Sequence, residues 1–201
     1  MGKEKPEGMV AQPNRLKMSV ESYVTLDRNS TDARYEFIDG YAYMMAGGTA
    51  NHSTISINIT SLLSNLLGNG PCRIYNSDMK VRLSESRYVY PDATVSCNEY
   101  DRGNSETIQS PLLIIEVLSP GTEAYDRGNK FGYYRACPSI EEYVLVNTQH
   151  EVIEVYRRAR PNLWTLHLFE SGTHVEFASL NVSFPIAAIY RNVILPNEDL
   201  D

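Results

Sequence analysis

The sequence predicts an α/β protein in which a mixed central sheet is flanked by helices and followed by further β-strands. Residues 112–118 form a continuous apolar run broken only by Glu116, and such a run is typical of a strand buried on both faces. Apolar residues recur at helical spacing in residues 51–67, and residues 123–136 predict a helix directly after the buried strand. The last third predicts more strands, at residues 142–146, 151–157 and 163–169.

Length and composition limit how the chain is organised. A chain of 201 residues with 42% hydrophobic residues fits one globular domain with a substantial core. We expect residues 1–15, which are polar and contain two prolines, to be a flexible tail, and residues 16–201 to form a single domain. The three cysteines (Cys72, Cys97 and Cys137) lack metal-site spacing, and their odd number argues against a disulfide framework, so we expect them to be reduced.

Charge and hydropathy exclude some partners. The net charge of −7 and the pI near 5.1 count against a protein that wraps nucleic acid by charge alone. They leave a nuclease open, because bound divalent ions bring positive charge to the site itself. No apolar run approaches the roughly 20 residues of a membrane helix, and the N-terminus lacks the apolar segment of a secretory signal. We therefore expect no membrane partner and a cytoplasmic location.

The N-terminal part predicts a helix, a hairpin and a second helix. Ser19 is a suitable N-cap for a short helix that ends near residue 28. The pair Asp39-Gly40 suits the tight turn of a hairpin over residues 34–45, and Glu36 lies in its first strand. His52 borders the apolar face of the helix over residues 51–67.

Short strands are predicted between that helix and the central strand. They cover residues 73–75, 78–83 and 93–97, and Pro91-Asp92 opens the third of them. Residues 98–110 predict a polar loop, and residues 186–190 a terminal turn of helix.

Glu116 is the acid within the buried run. An ionised carboxylate there is costly unless a cation, a metal ion or a network of hydrogen bonds meets it. Side chains alternate along a strand, so Ile114, Glu116 and Leu118 share one face. Two interpretations are open: a structural acid paired with an arginine or lysine, or a member of a functional site.

Asp92, Glu116 and Lys130 are candidates for a metal-dependent site. Two carboxylates from neighbouring strands can hold Mg²⁺, which prefers a few carboxylate oxygens together with water and substrate phosphate. The ion lowers the pKa of its bound water and neutralises charge at an attacked phosphorus, while a nearby lysine stabilises the charge that develops. The structural alternatives are a turn aspartate after proline for Asp92 and a solvated i, i+4 pair of Asp126 with Lys130.

This order of residues resembles the PD-(D/E)XK nuclease superfamily. That pattern places a lysine two residues after the acid, where this chain has Leu118, and Lys130 on the following helix can take its place. With this change the chain resembles the Uma-type family of restriction endonuclease-like proteins along most of its length. The matching pieces are Tyr35-Glu36-Phe37-Ile38-Asp39-Gly40, His52, Asp78, Pro91-Asp92, Glu116-Val117-Leu118-Ser119-Pro120 with Thr122, Asp126-Arg127 with Lys130, Tyr134 and Glu142-Tyr143.

The resemblance implies a restriction endonuclease-like fold and a role for each site residue. Asp92 and Glu116, with the backbone carbonyl of Val117, would hold Mg²⁺, for which Mn²⁺ could substitute. Lys130 would position the attacking water, and Glu36 would assist as an additional acid.

Two further residues are accessory candidates. His52 lies where it could join the site, although a histidine at the border of an apolar face is more often a core or capping residue. Asp126 could join it as well, although its position also suits simple support of the helix.

Three functions are compatible with these residues. The first is Mg²⁺-dependent hydrolysis of phosphodiester bonds in DNA by an endonuclease, and the second is a non-catalytic interaction protein on a nuclease-like scaffold. The acidic composition, without a continuous basic stripe, favours the second. The third is a hydrolase of small nucleotides. We also expect a homodimer, because the C-terminal strands offer an interface and 14 tyrosines offer anchors for a partner.

Overall fold

Two six-stranded sheets, a two-stranded ribbon and several helical segments make up the part of the chain that a computed structural model describes, residues 15–45, 47–103 and 105–196. Residues 1–14 of the predicted tail lie outside this part, and Arg15 begins the first strand. The assignment of residues 16–201 to one domain stays a prediction. Within the described ranges, no helix combines the length and apolar character needed to cross a membrane.

The strands are β1 (Arg15–Lys17), β2 (Tyr35–Ile38), β3 (Tyr41–Met44), β4 (Arg73–Asn76), β5 (Lys80–Ser84), β6 (Arg87–Val89), β7 (Ala93–Ser96), β8 (Thr107–Ile108), β9 (Leu113–Val117), β10 (Glu142–Val146), β11 (Val152–Arg160), β12 (Leu163–Glu170), β13 (His174–Phe177) and β14 (Val182–Pro185). The helices are α1 (Val20–Asn29), α2 (Ala50–Leu67), α3 (Glu123–Tyr125) and α4 (Phe131–Ala136).

The N-terminal helix and hairpin form as predicted. The hydroxyl of Ser19 caps α1 by accepting a hydrogen bond from the backbone N–H of Ser22 at 3.2 Å. β2 and β3 pair antiparallel around Asp39 and Gly40, whose φ angles are +47° and +92°. Both turn residues therefore adopt the left-handed conformation that an Asp-Gly hairpin turn requires.

The hairpin belongs to a sheet that the sequence does not predict as a separate unit. Its strand order is β1-β3-β2-β6-β5-β8. β6 has three residues and β8 has two, so neither is long enough to show an alternating pattern. Membership of a sheet depends on pairing between distant strands, and this is not visible in local periodicity.

The central sheet has the order β12-β11-β10-β9-β7-β4. It is mixed, as predicted, because β9 runs parallel to β10 and antiparallel to β7. All five residues of β9 are buried. Its Leu113, Ile115 and Val117 pack with α2 on one face, whereas Ile114 and the following Leu118 pack with α4 and with β5 and β6 of the other sheet.

The C-terminal strands extend and cover the central sheet. β11 and β12 continue it as an antiparallel edge, whereas β13 and β14 form a ribbon that was not predicted and that buries Val175 and Phe177 in the core. The fully buried carboxylate of Glu142 in β10 accepts hydrogen bonds from the backbone N–H groups of Ala178 and Ser179, at 3.1 and 3.0 Å. These hydrogen bonds hold the β13–β14 ribbon against β10 of the central sheet. The predicted terminal turn is a 3₁₀ turn, Ile186–Ala188.

The polar loop predicted for residues 98–110 contains local structure. It holds a 3₁₀ turn, Glu99–Asp101, and the short strand β8. Asp101 is buried, and its carboxylate accepts hydrogen bonds from the hydroxyl of Ser96 and from the backbone N–H groups of Gln109 and Ser110, at 2.7 to 3.0 Å. The loop is therefore tied to the end of β7.

The expectation that all cysteines are reduced is wrong. Cys72 and Cys97 form a disulfide, with Cα atoms 3.9 Å apart, while Cys137 is a buried free thiol. Arg73 of β4 pairs with Ser96 of β7, so Cys72, directly before Arg73, faces Cys97, directly after Ser96, across the antiparallel ladder. The disulfide was missed because the number of cysteines says nothing about how β4 and β7 are aligned.

Candidate active site

Asp92 lies directly before β7, opposite Glu116 of the adjacent strand β9. Ala93 of β7 pairs with Ile115 of β9, so the next step of the same register sets Asp92 opposite Glu116. Antiparallel partners point to the same face of a sheet. The backbone N–H of Val117 donates to Asp92 Oδ2 at 2.7 Å, which ties Asp92 to the central strand.

Lys130 brings a buried ammonium group to Glu116. Its Nζ lies 2.9 Å from Oε1 of Glu116, 3.3 Å from Oε1 of Glu36 and 3.7 Å from Oδ1 of Asp126. Lys130 is 7% exposed and Asp126 is 3% exposed. The alternative of a solvated pair between Asp126 and Lys130 is therefore wrong, since both side chains are inside the protein and meet two further acids.

A π-helical turn sets the directions of Asp126 and Lys130. The helix predicted over residues 123–136 consists of α3, a π-helical turn at Asp126–Lys130, and α4. A π-helical turn contains an extra residue, so it changes the direction of the side chains around it, and such turns are frequent at functional sites. The hydroxyl of Tyr143 in β10 donates to the carbonyl oxygen of Asp126 at 3.0 Å and anchors this turn on the central sheet.

Glu36 reaches the same point from the other sheet. It is 7% exposed in β2, and its Oε1 accepts a hydrogen bond from the backbone N–H of Tyr90 at 3.3 Å. The hydroxyl of Tyr90 donates in turn to the carboxylate of Asp27 on α1, at 2.7 and 2.9 Å. The segment that leads into Asp92 is thus held by both a strand and a helix.

His52 lies at the start of α2 and contacts Asp92. Its Nε2 is 3.3 Å from Asp92 Oδ2. The hydrogen bond with Asp92 raises the pKa of His52, and burial opposes that rise. The capping group of α2 is Thr49, whose hydroxyl accepts from the backbone N–H of His52. The imidazole itself therefore faces the acid, and its accessory role stays a prediction.

Burial and neighbouring charge control the ionisation of Glu116 and Lys130. Burial raises the pKa of Glu116 to about 8; the ammonium of Lys130 opposes this rise, while Asp92, Asp126 and Glu36 add to it. Burial alone lowers the pKa of Lys130, but the acids around it outweigh burial and hold its pKa well above the ordinary value. Lys130 thus favours its charged form, while Glu116 takes up a proton more readily than a solvated glutamate does.

Tyr134 joins the site although sequence reasoning assigned it no role. Its side chain is fully buried, and its hydroxyl donates to Glu116 Oε1 at 2.5 Å. The family pattern contains Tyr134 without giving it a function. The signal that could have identified it is the spacing of Asp126, Lys130 and Tyr134, which at four-residue steps lie on one side of a helix.

A groove of about 790 Å³ opens beside Asp92 and His52. It runs along α2, and none of its described lining residues is a lysine or an arginine. Hydroxyl and amide side chains form much of the lining, and groups of this kind contact phosphate and sugar in nucleic-acid complexes. The members on α2 are Ser53, Ser56, Thr60, Ser61, Ser64 and Asn65.

The residues present fit a divalent cation that is held by few protein ligands. Among residues 15–45, 47–103 and 105–196, no three His, Cys, Asp or Glu side chains are grouped so as to hold a metal ion by themselves. Mg²⁺ requires less, because it usually binds through one or two carboxylates, with water and phosphate as its other ligands.

The balance of charge also fits a cation. Four carboxyl groups surround the ammonium of Lys130 and the imidazole of His52, which leaves an excess of buried negative charge when all the acids are ionised. The structural interpretation predicts a single ion pair between Glu116 and Lys130. Such a pair is neutral and would leave no excess of negative charge. A bound divalent cation would compensate for it. The members of this set are Glu36, Asp92, Glu116 and Asp126.

The fold and the acidic site define a class, that of mixed α/β proteins with a nuclease-like fold. The crystal structure of a protein from Anabaena variabilis ATCC 29413, described as "a putative nuclease belonging to DUF820", is similar with a TM-score of 0.68. The similarity covers 83% of this chain and 94% of that chain, at 17% sequence identity. At this identity the comparison shows the shared fold.

The sequence places the chain in a family within that class. It belongs to the Uma2 family, described as "Putative restriction endonuclease", whose family model matches residues 20–187. The resemblance inferred from the motifs is thereby confirmed. Family and fold together favour a nuclease as the class of activity.

Two proteins of Synechocystis sp. (strain ATCC 27184 / PCC 6803 / Kazusa) are similar over nearly their whole length. The chain is 36% identical to "Uncharacterized protein slr1290" over 178 residues, which is 88% of this chain and 93% of the relative. It is 30% identical to "Uncharacterized protein sll1609", again over 178 residues, or 87% of this chain and 99% of the relative.

Proposed function

We propose that the chain is a Mg²⁺-dependent endonuclease that hydrolyses phosphodiester bonds of DNA. Asp92 and Glu116, with the backbone carbonyl of Val117, hold the ion, for which Mn²⁺ can substitute. When bound, the ion lowers the pKa of a water molecule and neutralises charge on the phosphate. A cytoplasmic location belongs to the same proposal, because the DNA substrate is found there.

Lys130 orients the nucleophile in this proposal. Its ammonium carries three N–H donors and touches Glu116 and Glu36, so that a further donor can meet a water or a phosphate oxygen beside Glu116. The same charge stabilises the negative charge that develops on the phosphorane. Glu36 and Asp126 keep the ammonium at this point, and His52 holds Asp92.

One observation carries the proposal. Lys130 lies in the interior against Glu116, which faces Asp92 across two adjacent strands, although the three residues are far apart in sequence. Two acids on neighbouring strands, with a lysine against one of them, are the groups that metal-dependent phosphodiester hydrolysis uses.

A cleavage assay tests the proposal. Supercoiled plasmid is incubated with the protein and Mg²⁺ or Mn²⁺, and mononucleotides are offered in a parallel reaction. We expect the plasmid to be nicked or linearised, and Glu116→Gln to abolish this while circular dichroism shows an intact fold. Glu106→Gln, at a side chain that is 79% exposed and outside both the site and β12, is the matched control and should cleave like the wild type. Full activity of Glu116→Gln would refute the assignment, and activity on mononucleotides alone would identify a small-nucleotide hydrolase.

The alternative is a non-catalytic interaction protein on a nuclease-like scaffold. It is favoured by the lack, within the described ranges, of three side chains grouped to hold a metal ion, and by the net charge of −7. Calorimetric titration with Mn²⁺ separates the two. Binding that depends on Asp92 and Glu116 supports the enzyme, whereas no binding together with no cleavage supports the alternative.

A homodimer formed through β12 is the proposed assembly. β12 is an edge strand of the central sheet, and its Leu163, Leu166 and Leu168 are 50%, 53% and 54% exposed. Exposed leucines on an unpaired edge favour pairing with a second copy. Light scattering coupled to size-exclusion chromatography should give twice the chain mass, and Leu168→Lys should shift it to the monomer. A monomeric wild type at assay concentration would dismiss the dimer.

A further inference from the structure

We propose that Tyr134 is a positioning residue for the carboxylate of Glu116, which it holds in the orientation needed to bind the metal ion. This inference rests on the proposed function, because it assigns Glu116 to the metal. It adds a residue of α4 to a site whose proposed ligands come from β9 and from the residue directly before β7.

The geometry places the Tyr134 hydroxyl directly on Glu116. The distance from the hydroxyl oxygen to Oε1 is 2.5 Å, and both side chains are buried, at 0% and 4% exposure. Lys130 Nζ lies 2.9 Å from the same Oε1. One oxygen of the carboxylate thus receives both contacts, and the other, Oε2, would be left for the ion.

The ring of Tyr134 is itself held in place. It lies with its centroid 4.9 Å from that of Tyr143, within the core that also contains Ile114 and Leu118. The hydroxyl of Tyr143 is engaged elsewhere, since it donates to the carbonyl of Asp126. The two neighbouring tyrosines therefore have different partners, and the Tyr134 hydroxyl is directed at the acid by a packed ring.

The chemistry explains why a hydroxyl is useful at this position. An uncharged O–H donor fixes the rotation of a carboxylate and stabilises its ionised form, without adding a charge that would repel a metal ion. Carboxylates that bind metals are commonly oriented by such hydrogen bonds, and loss of the partner typically lowers metal affinity or activity by about 10- to 100-fold. Lys130 contacts the same oxygen, but its ammonium carries a charge and is shared with Glu36.

The test compares Tyr134→Phe with Tyr190→Phe. Both changes remove only a hydroxyl from a buried tyrosine, and Tyr190 hydrogen-bonds to backbone atoms of Asn147 and Val152 on the opposite side of the sheet. Mn²⁺ affinity is measured by calorimetry, kcat and KM on plasmid DNA by cleavage, and stability by thermal melting. We expect Tyr134→Phe to bind Mn²⁺ about 10-fold or more weakly and to lower kcat at unchanged KM. Tyr190→Phe should keep the Mn²⁺ affinity, the kcat and the KM of the wild type.

Equal Mn²⁺ affinity of Tyr134→Phe and the wild type, in a wild type that binds Mn²⁺, would overturn the inference and leave the proposed function standing. The inference would also be overturned if both variants lost Mn²⁺ affinity in proportion to the decrease in their melting temperatures. The role of Tyr134 would then be structural. A wild type that neither binds Mn²⁺ nor cleaves DNA would overturn the proposed function together with the inference.

A measurement on the wild type covers the case in which Tyr134→Phe does not fold. The Tyr134 hydroxyl proton, in a short buried hydrogen bond, should give a slowly exchanging downfield NMR signal. Saturation with Mg²⁺ should shift this signal if the partner carboxylate binds the ion. A signal that is identical with and without saturating Mg²⁺ would contradict the inference.

Discussion

Lys130 Nζ lies 2.9 Å from Glu116 Oε1, although Lys130 belongs to the π-helical turn and Glu116 to β9. In the PD-(D/E)XK pattern the lysine follows the acid by two positions on the same strand. Here that position is Leu118, which is 2% exposed and packs in the core. The π-helical turn supplies the cation instead, from the helix that follows the strand.

Replacement of Lys130 by alanine should abolish cleavage and weaken the fold. The acids that surround the ammonium would lose their cation, and an uncompensated buried charge typically costs about 3 kcal/mol of unfolding free energy. Loss of the group that stabilises the transition state should lower kcat by at least about 100-fold. Urea unfolding and plasmid cleavage measure the two effects.

The control for this variant is Lys17→Ala, which removes an exposed lysine from β1. It should change neither stability nor cleavage. Cleavage by folded Lys130→Ala at the wild-type rate would show that the lysine has no part in the reaction.

Local signals in the sequence were sufficient for many elements of the fold. The Asp39-Gly40 turn, the Ser19 cap and the apolar run that became β9 were recognisable because each depends on neighbouring residues. The division of the strands into two sheets was not, because the pairing of β2 with the three-residue β6 is set by distant contacts. The disulfide between Cys72 and Cys97 was missed for the same reason.

The site shows a similar division. Glu116 stands out because an acid interrupts a buried strand, and Asp92 stands out through Pro91. Asp126 and Lys130 lie in a π-helical turn, and a 3.6-residue periodicity cannot reveal the extra residue that such a turn contains. The roles of these side chains stay predictions.

The stability of the metal-free protein should decrease as the pH rises from about 4.5 to 8. Burial raises the pKa of Glu116 from 4.5 to about 8, so in this window the native state keeps a proton that the unfolded state has released. Raising the pH then favours unfolding. Glu116→Gln cannot titrate, so its unfolding free energy in urea should fall less across the same window.

Two other groups also make the folded protein less stable as the pH rises. Burial raises the pKa of Asp126, and the hydrogen bond with Asp92 raises the pKa of His52. Both remain in Glu116→Gln, so the difference between the two proteins isolates Glu116. Parallel pH profiles of the wild type and Glu116→Gln would contradict the assigned shift.

His52 should titrate at lower pH in Asp92→Asn than in the wild type. The hydrogen bond with the Asp92 carboxylate raises the pKa of His52, and an amide offers a weaker interaction with the imidazolium. NMR of the imidazole signals in metal-free buffer measures the midpoint. The signals of His174, on the distant β13, should coincide in the two proteins. An unchanged midpoint for His52 would show that the contact does not persist in solution.

Reduction of the Cys72–Cys97 disulfide should lower the melting temperature. The bond links residues separated by 25 positions, and closing a loop of this length stabilises a protein by about 3 kcal/mol in the chain-entropy model. For a domain of this size the shift should be roughly 6–12 °C. Thermal melting of Cys72→Ser and of the reduced wild type measures it. The same melting temperature with and without reductant, in protein whose disulfide is verified by alkylation and mass spectrometry, would contradict this expectation.

Anomalous X-ray diffraction from a crystal grown with Mn²⁺ tests the central claim most directly. The account predicts a peak bridging the carboxylates of Asp92 and Glu116, about 2 Å from an oxygen of each, with Lys130 beside it. The same crystal form of Asp92→Asn should lack the peak. A wild-type map with no peak at these two acids, or with manganese only at other carboxylates, would contradict the proposed metal centre.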